Sequence, residues 1–192
     1  MQTDVTQPSQ VESLVQTAVR EFGRLDIMVN NAGIGVPHPQ PIWDLPEENW
    51  DRMLAVNAKS VFLGIKYASK QMLTQDPHPS GDRGWIINAA SVLGLTGQSA
   101  TAEYCSAKGA VVNLTRAAAL DCAPKRIHVN AFAPGYAATN MTTDHFGDEG
   151  TRVQLEGMHP FRGLGKAEDL AGVAVFLASE EAGWVTGVSF RS

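Results

Sequence analysis

Cysteine is almost absent from this 192-residue sequence: Cys105 and Cys122 are too few for a disulfide framework and match no zinc-ligand spacing. They read as small buried or half-buried residues of a reducing compartment. The five histidines, His38, His78, His128, His145 and His159, are dispersed, with no His-Glu-x-x-His, which argues against a metal site. No apolar run reaches membrane-spanning length and the N-terminus has no secretory hydrophobic region, so neither a membrane span nor export is expected and the chain reads as cytoplasmic. There is no basic stripe either. Fifteen Lys and Arg against 20 Asp and Glu leave a formal charge of −5, scattered along the chain, so nucleic acid is not an expected partner. What is present, 44% hydrophobic and 18% charged residues, is the composition of one globular domain. Such a length buries about 70% of the unfolded surface.

Hydrophobic spacing predicts a helix over 9–22, with Thr6 or Ser9 as cap, Glu12 completing a capping box with Ser9, and Gly23 as terminator. The run "LDIMVN" reads as a strand apolar on both faces. After the proline-rich stretch 37–46, a long helical pattern covers 47–73, carried by Trp50, Leu54, Val61, Phe62, Ile65 and Met72. "WIINAAS" predicts a second buried strand, 102–122 a helix, "IHVNAFA" a third strand, 167–179 a last helix and "VTGVSF" a terminal strand. Residues 136–165 lack a strong period and, at this length, read as a substrate loop or lid. Alternation of strands and helices gives the α/β class, a Rossmann-like three-layer arrangement with helices on both faces of a parallel sheet.

Four strands run into small or polar residues: Asn30-Asn31-Ala32-Gly33, Ser91, Pro134-Gly135 and Ser189. In open parallel sheets ligands bind beyond the carboxyl ends of the strands, which locates the expected site. The helix 102–122 adds Tyr104 and Lys108, four residues apart and therefore on one helical face. A nearby ammonium favours a phenolate and lowers a phenol's pKa, so this pair can exchange a proton with an alcohol or carbonyl oxygen. Ser91 can polarise the same carbonyl. The alternative is an exposed Tyr–Lys pair beside a strand-end serine. Asn57 falls on the apolar stripe of the long helix, where a buried amide must find partners; a hydrogen bond across the sheet ends would satisfy it. Met141, His145, Phe146 and Met158 either line a substrate pocket or pack the loop down.

These residues together carry a resemblance. "NNAG" at 30–33, Asn57 in "LAVNAKSVF", "IINAAS" ending in Ser91, "YCSAK" and "PGYAAT" ending in Thr139 follow one another in the order of the short-chain dehydrogenase/reductase family. The resemblance implies Asn57, Ser91, Tyr104 and Lys108 as catalytic residues, with Asn57 holding a water in a proton relay to Lys108. It implies cofactor contacts from Asp4, Val5, Asn30, Ala32, Gly33, Tyr104, Lys108, Pro134, Gly135 and Thr139, the last at the nicotinamide carboxamide. NAD or NADP is the implied cofactor, and the implied reaction reduces a carbonyl or oxidises a secondary alcohol of a small-molecule substrate. Pairing of helices 47–73 and 102–122 across a two-fold axis implies a homo-oligomer.

One element of that pattern is missing. A Gly-rich turn between a first strand and a helix normally meets the pyrophosphate, and neither Gly33-x-Gly35 nor Gly163-x-Gly165 has its form. Compared with the family, the chain reads as N-terminally truncated, starting at the end of the third strand; three strands, two helices and their connections come to about 55 residues. "LDIMVN" is then expected at a sheet edge, apolar and unpaired. Three activities stay open: an oxidoreductase with an incomplete cofactor half, a nicotinamide-free isomerase, dehydratase or cyclase using Ser91, Tyr104 and Lys108, and a non-catalytic binding subunit.

Overall fold

The computed structural model describes residues 1–139, 141–142 and 149–191. Its four-stranded parallel sheet has the order β1-β2-β3-β6, formed by β1 (Ile27–Asn30), β2 (Gly84–Ala89), β3 (Ile127–Ala133) and β6 (Ser189–Arg191). β2 and β3 are buried along their whole length, as their continuous apolar runs require. On one face α1 (Pro8–Phe22), α3 (Ser60–Met72) and α4 (Ala102–Cys122) pack over Met28, Ile86, Ile127, Val129 and Ala131. On the other, α6 (Ala167–Leu177) covers Trp85, Ile87 and Phe132. This is the three-layer α/β architecture expected.

β1 is an edge strand, and α6 does not reach it: Ile27 and Val29 are 45% and 44% exposed while Met28 packs inward. The strand is therefore covered on one face only, a correction to its reading as buried on both. α1 is capped differently from expectation. Its N-cap is Gln7 without a side-chain bond, and Pro8 starts the helix with a φ already suited to it. Asp4 instead accepts bonds from the Thr6 amide and hydroxyl, at 2.9 and 2.7 Å, in a turn before the helix. Gly23 does end the helix, at φ 86°.

The pattern over 47–73 resolves into α2 (Glu47–Leu54), a π turn over Ala55–Lys59 and α3. The loop 136–165 has structure of its own: β4 (Ala137–Ala138) pairs in parallel with β5 (Gly165–Lys166), bringing its two ends together, and α5 (Glu149–Gly157) lies between. Ser189 opens β6 rather than ending it, so it does not stand with the other strand ends.

A buried polar chain fixes α4 against the sheet. Asn30 Nδ2 donates to Asn88 Oδ1 at 2.8 Å, Asn88 Nδ2 to Thr115 Oγ1 at 3.0 Å, and Thr115 Oγ1 to the Val111 carbonyl at 2.8 Å. Asn30 fits only because residue 64 on α3 has no side chain; a Cβ there would overlap Asn30 Oδ1. Gly64→Ala is therefore expected to destabilise the protein by about 3 kcal/mol, because overpacking would also break a buried hydrogen-bond network. A urea titration checks this; a loss within about 0.5 kcal/mol, typical of surface changes, would refute it.

Candidate active site

The carboxyl ends of β1, β2 and β3 converge with the first turns of α4. After β1, Gly33 brings the backbone close to two buried side chains: a Cβ at this position would lie 2.9 Å from Asn57 Oδ1 and 3.6 Å from Lys108 Nζ. Asn57 sits in the π turn, whose wider winding aims its amide at the Ile34 peptide. Oδ1 accepts from Ile34 N and Nδ2 donates to Ile34 O, both at 2.8 Å, while Met53 Sδ also lies 2.8 Å from Nδ2. The structure thus gives Asn57 the hydrogen bond across the sheet ends, clamping the turn that follows Asn30-Asn31-Ala32-Gly33.

Ser91 follows β2 in extended conformation and caps the short 3-10 turn Val92–Gly94, its Oγ accepting from Leu93 N at 3.2 Å. That turn is held from two sides. Val92 N donates to the Pro134 carbonyl at 3.0 Å, which joins the ends of β2 and β3. Gly94 rests on the backbone of α4 at Lys108, where a Cβ would come within 2.6 Å of the Lys108 carbonyl group. The small residues thereby bring Ser91 toward Tyr104, near enough for its hydroxyl to favour the ionised phenol.

Tyr104 and Lys108 do share a face, with Nζ 5.7 Å from the centre of the phenol ring. The expected electrostatics, however, are reversed. Burial raises the Tyr104 pKa; the Ser91 hydrogen bond opposes that shift, and Tyr136 and Cys105 add to it. Lys108 turns its ammonium to the Ala89 carbonyl, 2.8 Å away. It is only 4% exposed, and burial lowers its own pKa to about 8. At neutral pH the site therefore holds a protonated phenol beside a serine hydroxyl, with a lysine close to its point of deprotonation. A phenol in that state can donate a proton where negative charge develops.

A sequence profile described as Enoyl-(Acyl carrier protein) reductase matches residues 1–191. The 3-oxoacyl-[acyl-carrier-protein] reductase FabG of Staphylococcus aureus (strain Mu50 / ATCC 700699) is 36% identical over 187 residues, covering 97% of this chain and 72% of that protein. The chain belongs to the short-chain dehydrogenase/reductase family. Glucose 1-dehydrogenase 2 of Bacillus subtilis (strain 168) is similar at 34% identity, over 98% of this chain and 70% of the relative. A structure of a tyrosine-to-phenylalanine variant of ElxO with NADPH bound superposes with a TM-score of 0.89 at 33% identity, covering 100% of this chain and 75% of that one. Relatives of this chain are thus named oxidoreductases.

The remaining residues expected from the short-chain dehydrogenase/reductase pattern fall in two groups. Val5, Asn30, Asn31 and Ala32 line one shallow cleft with Met28 and Ser60, at the carboxyl end of the edge strand, and Asp4 lies exposed beside it. Pro134, Gly135 and Thr139 follow β3; Thr139 N donates to Thr142 Oγ1 at 3.0 Å, and Thr142 Oγ1 donates to the Ala137 carbonyl at 2.6 Å. Neither glycine pair opens a phosphate cradle. Gly35 backs onto Met141, whose Cγ would lie 3.2 Å from a Cβ there, and Gly165 packs on Ala137 in the β4–β5 staple.

Of the loop residues, Met141 covers Gly33 and Gly35, Met158 is 59% exposed, and His145 and Phe146 lie outside the described residues. Sequence reasoning missed Asn88, Thr115 and His159. An asparagine inside an apolar strand was the available signal for the first; nothing local marked the other two. Among the described residues no cluster of His, Cys, Asp or Glu could hold a metal, and no helix is long and apolar enough to cross a membrane.

Proposed function

We propose that this chain reduces a carbonyl compound to a secondary alcohol, or runs the reverse reaction, with NAD(P)(H), using Tyr104 as general acid and base. The observation that carries this reading is the placement of Ser91 at the carboxyl end of β2 together with Tyr104 and Lys108 on one face of α4, where burial keeps the phenol protonated. The substrate oxygen docks between the Ser91 hydroxyl and the Tyr104 phenol. As the carbonyl carbon gains a hydride, negative charge gathers on that oxygen; Ser91 stabilises it by hydrogen bonding and Tyr104 gives up its proton, forming the alcohol. Bound NAD(P)H supplies the hydride. Lys108 then offsets the charge left on the phenolate, and Asn57 keeps the Gly33–Ile34 turn from closing onto the site.

The residues that would hold the cofactor on this reading are Asp4, Val5, Asn30, Ala32, Gly33, Tyr104, Lys108, Pro134, Gly135 and Thr139. The substrate is kept at the level of a carbonyl or secondary alcohol because relatives of nearly equal identity are named for a 3-oxoacyl carrier substrate and for glucose. Calorimetric titration with NADH and NADPH tests the reading. Micromolar binding is expected, on the order of the usual KM range of enzymes. Absence of binding at millimolar cofactor, together with isomerisation or dehydration that needs Tyr104, would replace it with the nicotinamide-free reading.

A further inference from the structure

His159 has no part in the chemistry above, yet both of its ring nitrogens are committed. Nδ1 lies 2.7 Å from the Leu155 carbonyl oxygen and donates to it; Nε2 lies 2.9 Å from the Tyr136 amide nitrogen and accepts from it. Only the neutral ring carrying its proton on Nδ1 satisfies both partners. The ring lies over Gly135 so closely that a Cβ at that position would overlap Nε2. Its edge meets the Tyr136 ring, centroids 6.0 Å apart and planes at 86°.

Tyr136 continues the connection. Its phenol donates to Gln98 Oε1 at 3.0 Å, and Gln98 belongs to the segment running from Ser91 to Tyr104. A single histidine just beyond α5 thus fastens the turn after β3, and through Tyr136 that turn is tied to the segment carrying the proton-transfer groups. Tyr136 is one of the groups that favour the protonated form of the Tyr104 phenol.

We propose that His159 is a positioning residue: it holds Tyr136 across the mouth of the site, beside Tyr104 and Ser91, so that a substrate carbonyl enters in one orientation. This rests on the reading of the site as a carbonyl reductase. Without the Nε2 acceptor, Tyr136 N–H is left unpaired and its ring loses its edge contact, and the Gln98 bond alone does not fix the turn.

The chain has three tyrosines, Tyr67, Tyr104 and Tyr136, so tyrosine labelled with 13C at Cζ reports each one separately, with Tyr67 on α3 as internal reference. The measurement needs neither substrate nor cofactor. His159→Leu removes the acceptor and keeps the bulk, and His159→Gln restores an acceptor oxygen near the position of Nε2. The Leu variant is expected to shift the Tyr136 and Tyr104 resonances and leave Tyr67 in place, while the Gln variant keeps the wild-type spectrum. With NADPH and a 3-oxobutanoyl thioester as probe, kcat of the Leu variant is expected to fall about tenfold to a hundredfold, with the NADPH Kd changed less than about twofold. Gly135→Ala displaces the ring from its other side and is expected to reproduce the Leu spectrum, which keeps the test decisive if the Leu variant folds poorly. Unmoved Tyr104 and Tyr136 resonances in the Leu and Ala variants, or a Gln variant displaced as far as the Leu one, would overturn the proposal. Reduction of the probe by wild type without those shifts overturns this proposal alone; the expected shifts without NAD(P)H binding or reduction of any carbonyl overturn the reductase reading.

Discussion

Tyr104→Phe is expected to lower kcat for carbonyl reduction by about 10²- to 10⁴-fold while leaving cofactor affinity and the fold nearly unchanged, the span that a positioned general acid supplies. The half-buried ring keeps its packing beside Val36, Met53 and Ala107, and the substitution removes only the oxygen. The neighbouring Ser91 hydroxyl keeps its bond from Leu93 N and so is not orphaned. The loss should therefore appear in kcat rather than KM, because the phenol proton is required only as charge develops on the substrate oxygen. Equal turnover in the variant, measured from the fall in NADPH absorbance, would remove Tyr104 from the reaction.

Lys108→Met is expected to raise stability and abolish useful activity together. The ammonium is buried, and its pKa falls from 10.5 to about 8, which corresponds to about 3 kcal/mol of penalty against the charged form. For a base whose folded pKa lies below its unfolded one, the unfolded state binds more protons between those values, so stability rises with pH across the window from about 8 to 10.5 and the full penalty stands below it. Methionine fills the same space without charge, at the loss of the bond to the Ala89 carbonyl, about 1 to 2 kcal/mol. The variant should then be more stable by about 1 to 2 kcal/mol at pH 7, and the advantage should shrink above pH 8 and reverse near pH 10.5. Urea unfolding of both proteins at several pH values checks this. A variant less stable at pH 7 than at pH 10, each relative to wild type, would contradict the burial argument. Activity should drop by about 10²-fold or more, because the phenolate left after proton transfer loses its nearest cation.

The stability gain and the catalytic loss have one origin. On the proposed mechanism, Lys108 accepts a costly burial because the reaction creates an opposite charge beside it.

Much of this was legible in the residues themselves. α4 spans the expected 102–122 and β3 the whole of "IHVNAFA", because long periodic or wholly apolar segments bounded by Gly, Pro and Arg leave one structural option. The exposed edge at β1 followed from the family comparison, although its apolar run by itself reads as a doubly covered strand. The π turn was invisible: one extra residue in a helical turn leaves the hydrophobic pattern almost intact while redirecting Asn57 toward Ile34. Spacing placed Tyr104 and Lys108 on one face but says nothing about solvent, and burial decides the direction of both pKa shifts. The β4–β5 staple and the His159 clamp depend on contacts more than twenty residues apart, which no local window contains.

Hydride transfer with proton delivery from Tyr104 is most directly tested by isotopic labelling. The purified chain is incubated with each stereoisomer of NADPH carrying deuterium at C4 and a 3-oxobutanoyl thioester, and the product is analysed by mass spectrometry. The account predicts deuterium on the carbinol carbon from one of the two labelled cofactors, with product formation suppressed in Tyr104→Phe. Unlabelled product from both cofactors, or labelled product formed equally well by Tyr104→Phe, would contradict it.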